Sequence, residues 1–153
     1  MVVSEDWGAV MHDFIERVLA SRVLSPSMVE LPSPATPRDI AEVETRLDVR
    51  LPQALRVILE KWNGANLDVI RFVSCDVLEI QKHGLYFAND FSGFMYFLDS
   101  QGSVVSLDTD GGDVKVVAAD LADFLTEYVF GSRASEFMGP EWLNELKAAG
   151  LAS

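Results

Sequence analysis

Near residue 68 the spacing of apolar residues in this chain changes, and that change sets the fold class. Upstream the period is helical. Trp7, Val10, Met11, Phe14, Ile15, Val18 and Leu19 recur at i, i+3, i+4 and i+7, which predicts an amphipathic helix over about residues 5–22 with Ser4 as its cap. Thr36-Pro37-Arg38-Asp39 reads as a second helix start: Thr36 caps, Pro37 suits the first helical position, and Asp39 favours the first turn. Ile40, Val43 and Leu47 supply its apolar face. Leu51-Pro52 breaks the pattern, because a residue before proline avoids the α region. A third helix carries Leu55, Ile58, Leu59 and Trp62 and ends at Asn63-Gly64.

Downstream the period is that of strands. Candidates are Val69–Val73, Leu85–Ala88, Phe94–Leu98, Val104–Leu107 and Val114–Val117, with Val77–Ile80 as a further one. The breaks at 89–93, 100–102 and 110–113 are rich in Asn, Asp, Ser and Gly, which are turn formers. Breaks this short join antiparallel strands, since a parallel crossover needs about a dozen residues or more. Helix then returns. Leu121, Phe124, Leu125, Tyr128 and Val129 share a face behind Asp120, and Pro140 opens a last short helix bearing Trp142, Leu143 and Leu146. The order predicts an α+β fold: an antiparallel or mixed meander of about five to six strands flanked by N-terminal and C-terminal helices. The proline-rich stretch 24–37 reads as an ordered loop and is too short to separate two domains. The expectation is therefore one domain over 1–153, with its core at about 36–131 and additions at 5–22 and 132–153.

Charge excludes several functions. Twelve Lys and Arg against 24 Asp and Glu leave a net charge of −12. That balance opposes general nucleic-acid binding, which rests on neutralising phosphates, and polybasic membrane attachment. It suits a basic partner. The bias is uneven: residues 84–153 hold 11 acidic and three basic groups, residues 1–83 hold 13 and nine. The single cysteine, Cys75, allows no intrachain disulfide, and no apolar run approaches the roughly 20 residues that span a bilayer. Without a signal-peptide pattern at the start, the expected location is the cytoplasm.

Chemical motifs are absent from the sequence. His12, His83 and Cys75 fall on different elements, and no phosphate-loop, nucleophile-elbow or zinc-protease motif occurs. Asp108-Thr109-Asp110-Gly111-Gly112-Asp113 resembles the start of a calcium loop, but the twelfth position is Ala119 where a bidentate Glu is needed. Asp108 and Asp110 would share a face if both lay on one strand, and a carboxylate pair of that kind can do acid–base work. The expectation is no metal, no cofactor and no enzymatic activity.

One set of residues carries a family resemblance. Ile40, Glu44 and Leu47, then Leu51-Pro52, then Leu55, Leu59 and Asn63-Gly64, are similar in order and spacing to the opening of the SUKH superfamily, whose best-known eukaryotic member is a yeast cell-wall synthesis regulator. Asn89-Asp90-Phe91-Ser92-Gly93, followed by the aromatic strand Phe94–Phe97, resembles the family's aspartate–glycine turn. The helix after the last strand, 120–130, fits the family's closing helix. The resemblance implies an α+β domain whose shared residues, here Glu44, Leu51, Pro52, Asn63, Gly64, Asp90 and Gly93, are fold markers. In bacteria it implies an immunity protein that binds a toxin, in many cases a nuclease, and blocks it by occlusion. On that reading Asp90, Asp108, Asp110 and Asp113, near the strand turns, contact Lys or Arg of a basic toxin domain. A regulatory or scaffold module and an enzyme using Asp/Glu chemistry are the alternatives. Oligomeric state is left open.

Overall fold

The computed structural model describes the backbone of residues 3–153 and side chains from Val10 onward. The proposed Ser4 cap and the Trp7 end of the first stripe lie outside the described side chains. Helix α1 (Val3–Ala20) buries Met11, Ile15 and Val18, whereas Val10 points away from the core and is 63% exposed, so the stripe is narrower than its spacing suggested. Helix α2 (Pro37–Leu47) begins as expected. The Thr36 hydroxyl accepts from Asp39 N and the Asp39 carboxylate accepts from Thr36 N, a reciprocal cap. Helix α3 (Gln53–Lys61) buries Leu55, Ile58 and Leu59.

The sheet has eight strands rather than five to six. They are β1 (Val29–Glu30), β2 (Ala65–Leu67), β3 (Arg71–Phe72), β4 (Glu79–Gln81), β5 (Gly84–Asn89), β6 (Phe94–Leu98), β7 (Val104–Asp108) and β8 (Val114–Ala118). All pairings are antiparallel, in the order β1-β2-β3-β5-β6-β7-β8, with β4 also pairing β5. The extra strands come from places where local sequence misleads. The expected strand 69–73 starts two residues late, at Arg71, because Asp68 takes a left-handed φ of 70° and turns the chain between β2 and β3. The candidate at 77–80 is a turn closed on Ser74 O before it becomes β4. The proline-rich stretch holds a short 3-10 turn and strand β1, and is tied down by Ala35 N donating to Leu59 O at 2.9 Å.

After β8 the chain enters α4 (Leu121–Asp123), capped by Asp120, whose carboxylate accepts from Asp123 N at 2.7 Å. It widens at once into a π-helix over Phe124–Val129, closed by Phe130 N donating to Leu125 O. Gly131 follows, packed so closely on the Thr126 carbonyl that a side chain there would overlap it. The tail expected to be helical over 132–153 holds two helices, α5 (Ala134–Met138) and α6 (Pro140–Ala148), of which the sequence placed only the second individually. The tail docks through Trp142, which donates its indole N–H to Val129 O at 2.7 Å and packs on Phe130. Phe130 in turn meets Phe14 of α1. Both ends of the chain therefore complete one hydrophobic core.

Two bulges decide what each face of the sheet displays. In β5, Tyr86 pairs with Phe97 and Ala88 with Tyr96, so Phe87 is the extra residue. Phe87 and Ala88 are consequently both buried, and Tyr86 and Asn89 share the opposite face. In β8, Val104 pairs with Ala118 and Val105 with Val116, so Val117 and Ala118 are both buried. The inner face carries Phe87, Tyr96 and Val104 against Phe124 and Tyr128. The outer face carries two cross-strand rows, Glu79–Tyr86–Phe97–Val105–Val116 and Arg71–Asn89–Met95–Leu107–Val114.

Candidate functional site

The four aspartates singled out by sequence converge on one end of the sheet. Phe94 pairs with Asp108 across β6 and β7, and Thr109 donates its hydroxyl to Gly93 O at 2.6 Å, which locks the β5–β6 and β7–β8 turns side by side. They do not share one role. Asp90 is committed internally. Its Oδ1 accepts from Ser92 N and Phe94 N at 2.9 and 3.1 Å, and its Oδ2 accepts from the Tyr96 hydroxyl at 2.7 Å. Burial, reinforced by that carboxylate, pushes the Tyr96 phenol far above its usual range, so it stays a donor. Asp108 is half committed: its Oδ1 accepts from Asp110 N and Gly111 N. Asp110 and Asp113 are exposed, and among the described residues their carboxylates have no hydrogen-bond or ion-pair partner.

The geometry bears on two chemical readings of this loop. β7 ends at Asp108, and Asp110 lies in the turn, so the two do not form an i, i+2 pair on a strand. Asp108 serves as a turn-forming acceptor for backbone N–H groups. Among the described residues no group of three or more His, Cys, Asp or Glu side chains converges as a metal site. His12 lies beside Lys61 at 2.9 Å, His83 packs edge-on against Phe97, and Cys75 is buried behind β3, so these three are not brought together. Burial pushes the Cys75 thiol up, away from the reactive thiolate.

Two of the residues named as fold markers, Glu44 and Asn63, bond across elements. Glu44 of α2 accepts from Leu51 N at 2.7 Å and so holds the α2–α3 corner above buried Leu51. Asn63 Oδ1 accepts from Cys75 N at 2.9 Å, joining the end of α3 to the loop after β3. Gly64 beside it has φ +88°, and an added Cβ would stand 3.0 Å from Ser74 N. Gly93, at φ +93°, closes the Asp90 turn.

Sequence reasoning missed a cleft of about 790 Å³ beside β2 and β3. Glu30, Asn66, Arg71, Tyr86 and Asn89 line it, and Asn89 donates to the Tyr86 hydroxyl at 2.7 Å. Only the β5 bulge puts Tyr86 and Asn89 on one face, and no local pattern announces it. Arg71 lies over the Phe91 ring, 5.4 Å from its centroid. The cleft holds one guanidinium and one carboxylate, without a histidine or cysteine to pair with a nucleophile.

A comparison with protein families finds that the model of the SMI1/KNR4 family (SUKH-1) matches residues 34–127. The chain belongs to that family. The SUKH-1 match runs from the α2 cap into the π-helix, and it includes the Glu44 and Asn63 staples, both acidic turns and the outer sheet face. Helix α1 and the tail from Gly131 fall outside it. A search of curated proteins finds no significant match. No described helix of this SUKH-1 protein is long and apolar enough to cross a membrane.

Proposed function

We propose that this SUKH-1 protein is an immunity protein, which binds a toxin domain stoichiometrically and blocks it by occlusion. The observation that carries the reading is the paired acidic turns, tied together by the Thr109–Gly93 hydrogen bond, where Asp110 and Asp113 present carboxylates without a partner among the described residues. Asp90 and Asp108 shape those turns and add to their negative potential. The partner is a basic toxin domain, met in the cytoplasm of the producing cell, and the toxin's own activity is lost because its working surface is covered. Opposite charge of this kind steers association and can raise its rate by about one to three orders of magnitude at low salt.

Co-expression with the toxin encoded in the neighbouring reading frame tests the proposal. Rescue of growth and a one-to-one complex are expected. Cell death with no complex would refute it, and a scaffold role would then account for the same surface.

A further inference from the structure

We propose that the partner docks on the outer face of β6–β8, seating apolar side chains between Phe97 and the edge at Val114 and Val116 while its cations meet Asp110 and Asp113. This rests on the partner-binding reading above and adds the surface to it.

Four observations converge on that face. First, Phe97 and Val105 are buried but lie outside the main core, in a thin layer on the side of the sheet away from Phe124 and Tyr128. Second, the layer runs outward to Val116 at 62% exposed and Val114 at 47% exposed, both on β8. Third, β8 is five residues long and pairs only with β7 among the described residues, so one backbone edge stays open. The opposite edge is finished differently: β1 has two residues, exposes Glu30 and runs straight into Leu31-Pro32. Charge and proline at a short strand are the usual protection against edge pairing, and β8 lacks both except for Lys115. Fourth, the Val114 end of the face adjoins the β7–β8 turn, where Asp110 and Asp113 are exposed and no cation occurs. Lys115 lies on the other face of the sheet, opposite Ser106 in line with Tyr96, where its charge reaches Glu136.

The charge selects the occupant. An apolar patch with an uncompensated acidic rim complements a surface whose apolar centre is bordered by Lys and Arg. A second copy carries the same net charge of −12, so self-association through this face works against its own field.

The test titrates the full-length protein against the neighbouring toxin domain, inactivated by substitution. In Val114→Thr/Val116→Thr, shape and strand propensity are kept and apolar contact is reduced. It is expected to weaken binding by about tenfold or more, chiefly through faster dissociation. Asp110→Asn/Asp113→Asn is expected to slow association and flatten its salt dependence. An unchanged thermal melt shows that the threonine variant is folded, and Val116→Thr alone serves as the milder variant. If the wild type binds and the threonine variants bind equally well, the docking surface is wrong while the immunity reading stands. If the wild type does not bind, both fall. A wild-type dimer that the same substitutions dissolve would overturn the proposal in favour of self-association.

Discussion

Phe124 and Phe97 are both fully buried aromatics, and they lie on opposite sides of the same sheet. Phe124 meets Phe87, Tyr96 and Tyr128 in a core closed by helices at both ends of the chain. Phe97 is covered by Tyr86, His83 and its cross-strand neighbours, and the layer thins to exposed valines two strands away. Equal burial thus hides unequal surroundings. The inner face is covered by the chain's own helices, and the outer face is left partly exposed at Val114 and Val116.

The largest expected effect separates the two phenylalanines. Phe124→Ala should destabilise the protein by about 3–5 kcal/mol, as large cavities in closed cores do. Phe97→Ala should lose roughly half of that, because water and neighbouring side chains can fill a gap under a single layer. Urea denaturation measures both, and equal losses would break the distinction between the faces.

Next comes the division among the aspartates. Asp90→Ala leaves Tyr96 O–H and two turn N–H groups without their acceptor and should destabilise by about 1–3 kcal/mol. Asp113→Asn should stay within about 0.5 kcal/mol of wild type, since among the described residues its carboxylate has no partner. A comparable loss from Asp113→Asn would show that the turn depends on it.

Smaller still is the response to acid. The Lys61 ammonium bonded to Glu16 at 2.9 Å, and the Arg133 guanidinium bonded to Glu136, hold these carboxyls below their ordinary value of 4.5. A carboxyl depressed in the folded state contributes stability above its unfolded value and loses it as pH falls through the folded one. Both carboxylates are exposed, so the thermal midpoint should drop only slightly as pH goes from 5 towards 3, about as expected for surface pairs. Glu16→Gln/Glu136→Gln should flatten that decline, and an unaltered slope would assign it to other carboxylates. Finally, iodoacetamide should label Cys75 slowly in the folded protein and fast in denaturant, because the thiol is buried and its pKa is raised. Rapid labelling of the native state would show that the loop behind β3 opens.

Several features were legible in the sequence because they depend on residues close together in the chain. The Thr36–Asp39 cap, the Asp120 cap and the Asp90 turn each use a side chain within four residues of its partner. The four long strands and the helices at 37–47, 53–61 and 140–148 follow from apolar period. The short strands were not legible, because two or three residues carry no period. The order of motifs was enough to suggest the SUKH superfamily, since Glu44, Leu51-Pro52 and Asn63-Gly64 follow one another at a fixed spacing. The site was only half legible. Composition marks the acidic residues but cannot tell a carboxylate locked in a turn, as in Asp90, from one left exposed, as in Asp113.

The sequence by itself determined the fold class, the antiparallel meander, the acidic bias and the family, because these rest on periodicity, turn chemistry and ordered spacing along the chain. Only the tertiary structure decided the cleft at Tyr86 and Asn89, the outer layer under Val116 and the unequal roles of the aspartates. The physical reason is register. One bulged residue in β5 and another in β8 choose which side chains face the helices and which face outward, and that choice comes from packing across strands rather than from any residue's nearest neighbours.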